Sequence, residues 1–208
     1  METFTKDQVI GTIASMCDIV IENEVPFCEL DSAAGDGDFG MSLAKGFKVV
    51  KAEWANHSRD DIGAFLKDCG MIITEHCGGA SGPIWGSGFR AMGKYAQGKD
   101  TLNLVELGDM VQAAIDAVQK RGGAKLGDKT LLDALIPAVE SIKVSGAAGE
   151  TFAVALPKGA AAAVAGGEST KLIAATKGRA SYVGDRSISF PDAGATAIGI
   201  IFNRLLAR

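Results

Sequence analysis

Apolar residues return at three- and four-residue steps along almost the whole chain, while sheet-like alternation of period two is nearly missing. Val9, Ile10, Ile13, Cys17, Val20 and Ile21 fall on one helical face. Leu104, Leu107, Val111, Ala114, Ile115 and Val118 repeat the pattern, as do Leu131, Leu132, Leu135, Ile136, Val139 and Ile142. The spacing predicts eight helical segments, at about 6–24, 39–54, 59–77, 80–97, 103–121, 129–145, 150–176 and 194–207. Ser58 ahead of Asp61, and Asn103 ahead of Glu106, resemble capping boxes. The best strand candidate, "RASYVGDRSISF", carries turn residues inside it and reads as a long loop. Short glycine-marked connections make neighbouring helices antiparallel. Residues 1–208 are therefore expected to form one all-α domain, an up-and-down bundle or closed ring of eight helices.

Composition agrees with that class. Apolar residues make up 47% of the 208 but aromatics only 6%, which suits closely approaching helices rather than sheets. A net charge of −4, with no basic run longer than two, argues against a nucleic-acid or anionic-membrane partner. Cys17, Cys28, Cys69 and Cys77 form no C-x-x-C, and with only His57 and His76 there is no zinc-ligand spacing. A reduced, cytoplasmic protein is the expectation. The first twenty residues carry acids within their apolar pattern and fit neither a signal peptide nor a membrane span.

Four segments differ from ordinary connectors: "LDSAAGDGDFGMS" (30–42), "HCGGASGPIWGSGF" (76–89), "RGGAKLGDKT" (121–130) and "KGRASYVGDRSISFPDAGAT" (177–196). They join the first helix to the second, the third to the fourth, the fifth to the sixth and the seventh to the eighth. In an antiparallel bundle, alternate connections share an end, so all four should meet at one end.

The first segment holds Asp31, Asp36 and Asp38 on a glycine-rich bend with no cation nearer than Lys45. Two carboxylates about 5 Å apart repel by roughly 3 kcal/mol at an effective dielectric near 20, and a third adds to it. Solvated acids around an N-cap at Asp38 would be a purely structural explanation. A magnesium site with open positions is the functional one, since Mg²⁺ favours a few carboxylates plus water and phosphates. An EF-hand is excluded: counting from Asp36, the sixth position is Met41 and the twelfth Phe47.

"GGASG" opens a predicted helix, where glycine amides, the helix N-terminus and the Ser81 hydroxyl suit a phosphate. A flexible turn with a glycine C-cap is the alternative. "GGAKLGDKT" misses a Walker A motif, because Asp128 stands at the lysine position and Lys129 comes one residue late. Asp128 as N-cap and Gly122 as helix stop suffice there. The fourth segment brings Lys177, Arg179 and Arg186 close to Asp185 and Asp192. Taken together, cradle amides, arginine and a metal-binding acid cluster are the parts of phosphoryl transfer.

"LDSAAGDGDFG", "GGASGP", "RGGAKLGDKT", "KGRASYVGDRSI" and "DAGATA" occur in the order and spacing of the nucleotide-binding (L) subunit of dihydroxyacetone kinases. The chain resembles that family over essentially its full length; the same unit forms the C-terminal half of single-chain versions. The resemblance implies an eight-helix antiparallel barrel with ADP or ATP at one end. Asp31, Asp36 and Asp38 would hold two Mg²⁺ ions. Phe39, Gly40, Met41, Ser42, Ala80, Ser81, Gly122, Leu131, Arg179, Asp192, Ala193 and Gly194 match the positions that contact nucleotide, with Leu131 against the base. Two positions depart from the pattern: Phe39 replaces the histidine usual after "GDxD", and Ser42 stands where asparagine is frequent.

The resemblance also implies a separate K-type subunit that binds the ketose covalently, since no catalytic base is evident in this chain. Phosphoryl would come from ATP, or from a phosphocarrier subunit of a phosphotransferase system acting on tightly held ADP. A homodimer is compatible with the sequence. The competing readings are an ADP-binding regulatory module without transfer activity, and a two-metal hydrolase.

Overall fold

The computed structural model describes residues 2–208. Among them run nine α-helices: α1 Lys6–Glu22, α2 Glu24–Ser32, α3 Phe39–Ala52, α4 Ile62–His76, α5 Ser81–Tyr95, α6 Leu104–Gly122, α7 Leu132–Ala147, α8 Phe152–Ser169 and α9 Ala193–Leu205. Two 3-10 stretches, Thr170–Leu172 and Arg179–Ser187, lie between α8 and α9. Extended structure among the described residues is confined to β1 (Phe4–Thr5) and β2 (Thr101–Leu102), antiparallel with Phe4 opposite Leu102. The fold is all-α, as the periodicity predicts.

Eight helices close a ring. α1 packs on α3, each helix from α3 to α8 packs on its successor, and α9 returns to α1. Glycine contacts report the antiparallel sense. On the α4–α5 seam Gly63 abuts Gly93 and Gln97, whereas Gly86 abuts Gly70 and Thr74. On α7–α8, Gly166 abuts Asp133 and Ala134 while Gly159 meets Ile142. Backbones approach this closely only because no Cβ intervenes; one built on Gly86 would lie 2.0 Å from Thr74 Oγ1. The periodic faces turn inward: Val9, Ile13, Cys17 and Val20 of α1, Ile115 and Val118 of α6, and Leu132, Leu135 and Val139 of α7 are all buried. Each such aliphatic side chain contributes about 1.5–3 kcal/mol by leaving water. No helix among the described residues is long and apolar enough to cross a membrane.

Several boundaries differ from those expected. The first predicted helix stops at Glu22, and the short α2 follows, carrying Leu30 and Asp31 in a helix rather than a loop. Asn23 turns the chain by donating its amide to the Ile19 carbonyl at 2.6 Å. Pro26 then sits in the first turn of α2, where its missing N–H would be unpaired in any case. Helix α8 ends at Ser169, short of 176, because Thr170 Oγ1 donates to the Gly167 carbonyl and accepts from the Asp192 N–H. "RASYVGDRS" is a 3-10 stretch kinked at Gly184 rather than plain loop. Ser58 does not cap: Asp61 does, accepting from the Ala64 N–H at 2.7 Å. Asn103 and Glu106 do form the reciprocal capping box.

Candidate functional site

Because ring neighbours alternate in direction, the connections after α2, α4, α6 and α8 share one end. There they enclose a cleft of about 320 Å³ to which all four sequence segments contribute. The other end holds the β1–β2 pair and the buried His57, whose Nε2 lies 2.9 Å from the Val50 carbonyl.

Asp31, Asp36 and Asp38 each present a carboxylate oxygen, and these oxygens lie within 4.8 Å of one another. Asp31 projects from the last turn of α2, and its Oδ2 accepts from the Gly37 N–H at 2.9 Å. Gly37 is in the left-handed region (φ +75°), which lets the chain fold back over the Asp31 side chain. Burial, reinforced by Asp36 and Asp38, pushes the Asp31 carboxyl above its ordinary range against the pull of that N–H. Asp38 occupies the N-cap position of α3, yet its side chain makes no capping hydrogen bond, so the structural explanation for this acid is not realised. The triad is not wholly unpaired: Arg179 Nη1 reaches Asp36 Oδ2 at 2.9 Å from far along the chain.

A divalent cation fits this donor set. Three carboxylates converge on one point, Asp38 is uncommitted, and Asp36 already faces a guanidinium.

Opposite the acids, Gly78 to Ser81 lead into α5, with Gly79 at φ +53°. The cap ending α4 is Cys77 in extended conformation, so neither glycine of "GG" serves as the C-cap. On the third side, Gly123 in the left-handed region closes α6 after Gly122. Asp128 is not the N-cap of α7; it accepts instead from the Lys125 N–H and the Thr176 hydroxyl. The turn entering α7 is tied by buried Asp133, which accepts from the N–H groups of Gly127 and Thr130.

Of the residues singled out in the sequence, Asp31, Asp36, Asp38, Phe39, Ser42, Ala80, Ser81, Gly122, Leu131, Arg179, Asp192, Ala193 and Gly194 line the cleft. Gly40 and Met41 do not. Gly40 is packed against the Glu24 carbonyl, and the Met41 side chain faces solvent while its N–H donates to Cys28 Sγ at 3.3 Å. Phe39 stacks at a tilt on Phe27, ring centres 5.9 Å apart, and anchors α3 to α2. Asp192 caps α9 by accepting from the Ala195 N–H at 2.7 Å, and burial pushes its carboxyl up to about 7. His76 lies outside the cleft lining.

Trp85, Ile84 and Lys129, none of them a site candidate in the sequence, also line the cleft. The first two are indistinguishable from core positions in a helical pattern. Lys129 carried one signal, its place in "GDKT", which a Walker A comparison discards.

The profile of the DAK2 domain family matches residues 33–207. The "PEP-dependent dihydroxyacetone kinase, ADP-binding subunit DhaL" of Escherichia coli is 34% identical over 203 residues, covering 98% of this chain and 97% of its own. The "PEP-dependent dihydroxyacetone kinase 1, ADP-binding subunit DhaL" of Listeria innocua is 32% identical, with 98% and 97% coverage. Among solved structures, the dihydroxyacetone kinase of C. freundii in complex with AMP-PNP and Mg²⁺ superposes with a TM-score of 0.76 at 25% identity, covering 96% of this chain and 33% of that one.

Proposed function

The chain belongs to the DAK2 domain family, and from that membership we propose that it is the nucleotide-binding subunit of a two-component dihydroxyacetone kinase. The observation that carries the reading is the convergence of the three aspartates on one point beside the Gly78–Ser81 turn and Arg179. We take residues 1–208 as one nucleotide-binding domain, working in the cytoplasm.

In this reading Asp31, Asp36 and Asp38 would hold Mg²⁺, two ions by our expectation, which would supply positive charge to nucleotide phosphates. The Gly37 N–H keeps the Asp31 carboxylate turned toward its two partners. Backbone amides at Gly78 to Ser81 and the N-terminus of α5 take phosphate oxygens. Arg179, held beside Asp36 at the cleft, would offer its planar fork to a phosphate. Leu131, Ile84 and Trp85 give the base an apolar wall, with Gly122 allowing close approach. Gly40 and Met41 contribute through the backbone and the α2–α3 packing.

The acceptor ketose sits on a separate K-type subunit. The names of the two full-length relatives favour ADP as a held group, rephosphorylated by a phosphocarrier protein, over freely exchanging ATP.

A thermal melt of nucleotide-stripped protein tests the site. Mg²⁺ plus ADP at a hundred times the dissociation constant should add about 2.7 kcal/mol, and neither alone should match it. Asp36→Asn should stay folded and lose most of that gain. No shift in stripped wild-type protein would overturn the reading.

A further inference from the structure

Lys129 is 1% exposed, and its ammonium donates to three backbone carbonyls: Ile173 at 3.0 Å, Ser187 at 2.7 Å and Phe190 at 2.8 Å. Every N–H of the ammonium is thereby used, leaving none for a phosphate. No carboxylate pairs with it; Asp192 is the anion that acts on it, and burial lowers its affinity for the proton. A charge buried this way is retained only when its hydrogen bonds are complete.

What it holds is a segment whose other ties are few: Thr176 to Asp128, the Ser189 N–H to the Lys171 carbonyl, and Arg179 to Asp36. From Leu172 to Phe190 the side chains are mostly exposed, with Leu172 and Tyr182 more than four-fifths so, and only Ala175 and Ser187 are buried. The segment lines the cleft through Lys177 to Ala180, and Pro191 and Asp192, which follow it directly, line the cleft as well. Backbone strain marks the same tie. Among the described residues, the non-glycine positions with positive φ are Lys129 (63°) and Ser189 (75°). Two of the three carbonyls that receive the Lys129 ammonium, those of Ser187 and Phe190, lie within two residues of Ser189. Strain at both ends of one contact is kept where surrounding structure overdetermines it, as at ligand clamps.

We propose that Lys129 is a positioning residue, an internal cation that ties both ends of the 173–190 segment to the start of α7 and so sets where Arg179 stands over the aspartates. The inference rests on the nucleotide site proposed above and adds the residue that keeps its fourth side closed.

Lys129→Met and Lys129→Arg would be compared with wild type by amide hydrogen exchange without nucleotide, and by release of ADP from the Mg²⁺ complex. The exchange measurement tests the tie alone, and ADP binding by wild type tests the site, so the two failures are separable. Lys129→Met should exchange at least tenfold faster across 174–190, with α4 and α5 still protected, and should release ADP at least tenfold faster. Lys129→Arg, which keeps the charge, should recover part of both. Wild-type rates in the Met variant would overturn the proposal, as would protection lost evenly across α4, α5 and the segment. If Lys129→Met does not fold, Lys129→Arg is judged against Thr176→Val, which removes only the hydroxyl tie to Asp128. A larger effect in Lys129→Arg supports the proposal, and an equal or smaller one overturns it.

Discussion

The Arg179 guanidinium stands 2.9 Å from the Asp36 carboxylate, so the acid cluster of the α2–α3 bend is partly answered by a cation from the segment before α9. The arginine side chain is 62% exposed, and a pair so solvated adds little to stability. Its position matters more than its energy. It shows that the fourth loop reaches the first across the cleft.

Arg179→Gln should therefore leave the melting temperature of the free protein nearly unchanged. Removing a charge-assisted contact to phosphate should nevertheless weaken Mg-ADP about tenfold or more, as a loss of about 1.5–3 kcal/mol requires. Isothermal titration calorimetry on both proteins checks this. Unchanged ADP affinity would confine Arg179 to the ion pair with Asp36.

Asp192 gives a pH signature. Its folded-state pKa is raised from 3.8 to about 7, chiefly by burial, so the folded protein binds this proton more tightly than the unfolded chain. Its stabilising share is complete below about 3.8 and is lost as pH rises through 7. Asp192→Asn keeps an acceptor for the Ala195 N–H but never ionises. Measured in EDTA without nucleotide, it should be more stable than wild type at pH 8.5 by up to about 4 kcal/mol, at ~1.4 kcal/mol for each pKa unit of the difference. The advantage should shrink steadily as the pH falls below 7. An equal gain at pH 8.5 and 5.5 would contradict the burial argument.

Gly40→Ala tests the α2–α3 contact that carries the acids. A Cβ there would fall 1.9 Å from the Glu24 carbonyl and 2.8 Å from the Cys28 nitrogen. Pushing the helices apart should cost about 2 kcal/mol, more than the ~1 kcal/mol that alanine gains in helix propensity. Because α2 holds Asp31, Mg²⁺ affinity should fall as well. Urea unfolding and metal titration report the two effects separately. Wild-type values in both would show that α2 is not what positions Asp31.

Much of the architecture was legible in the chain. Long amphipathic periods mark helices because each must bury one face, and the Asn103–Glu106 box is a local contact readable at sequence distance three. The meeting of the four loops followed from helix count and antiparallel order alone. The short α2 escaped notice because nine residues with Pro26 among them carry too little periodicity to separate from a loop. Ser58 and Asp128 have the right chemistry for caps, but their side chains are claimed elsewhere: the Ser58 hydroxyl accepts from the Asp60 N–H, and the Asp128 carboxylate accepts from the Thr176 hydroxyl. Such competition is decided by folding.

Residue order alone makes the chain helical, crowds its acids onto one glycine-rich bend, and sets five motifs in one family's order. Those properties reside in spacing and residue type, and local sterics express them. That Arg179 faces Asp36, that Asp38 is left uncapped, and that Lys129 turns inward onto three carbonyls are visible only in the folded ring. The Arg179 and Lys129 contacts join residues with no local relation to one another. Their energies come from burial and from hydrogen bonds that exist only once the ring has closed.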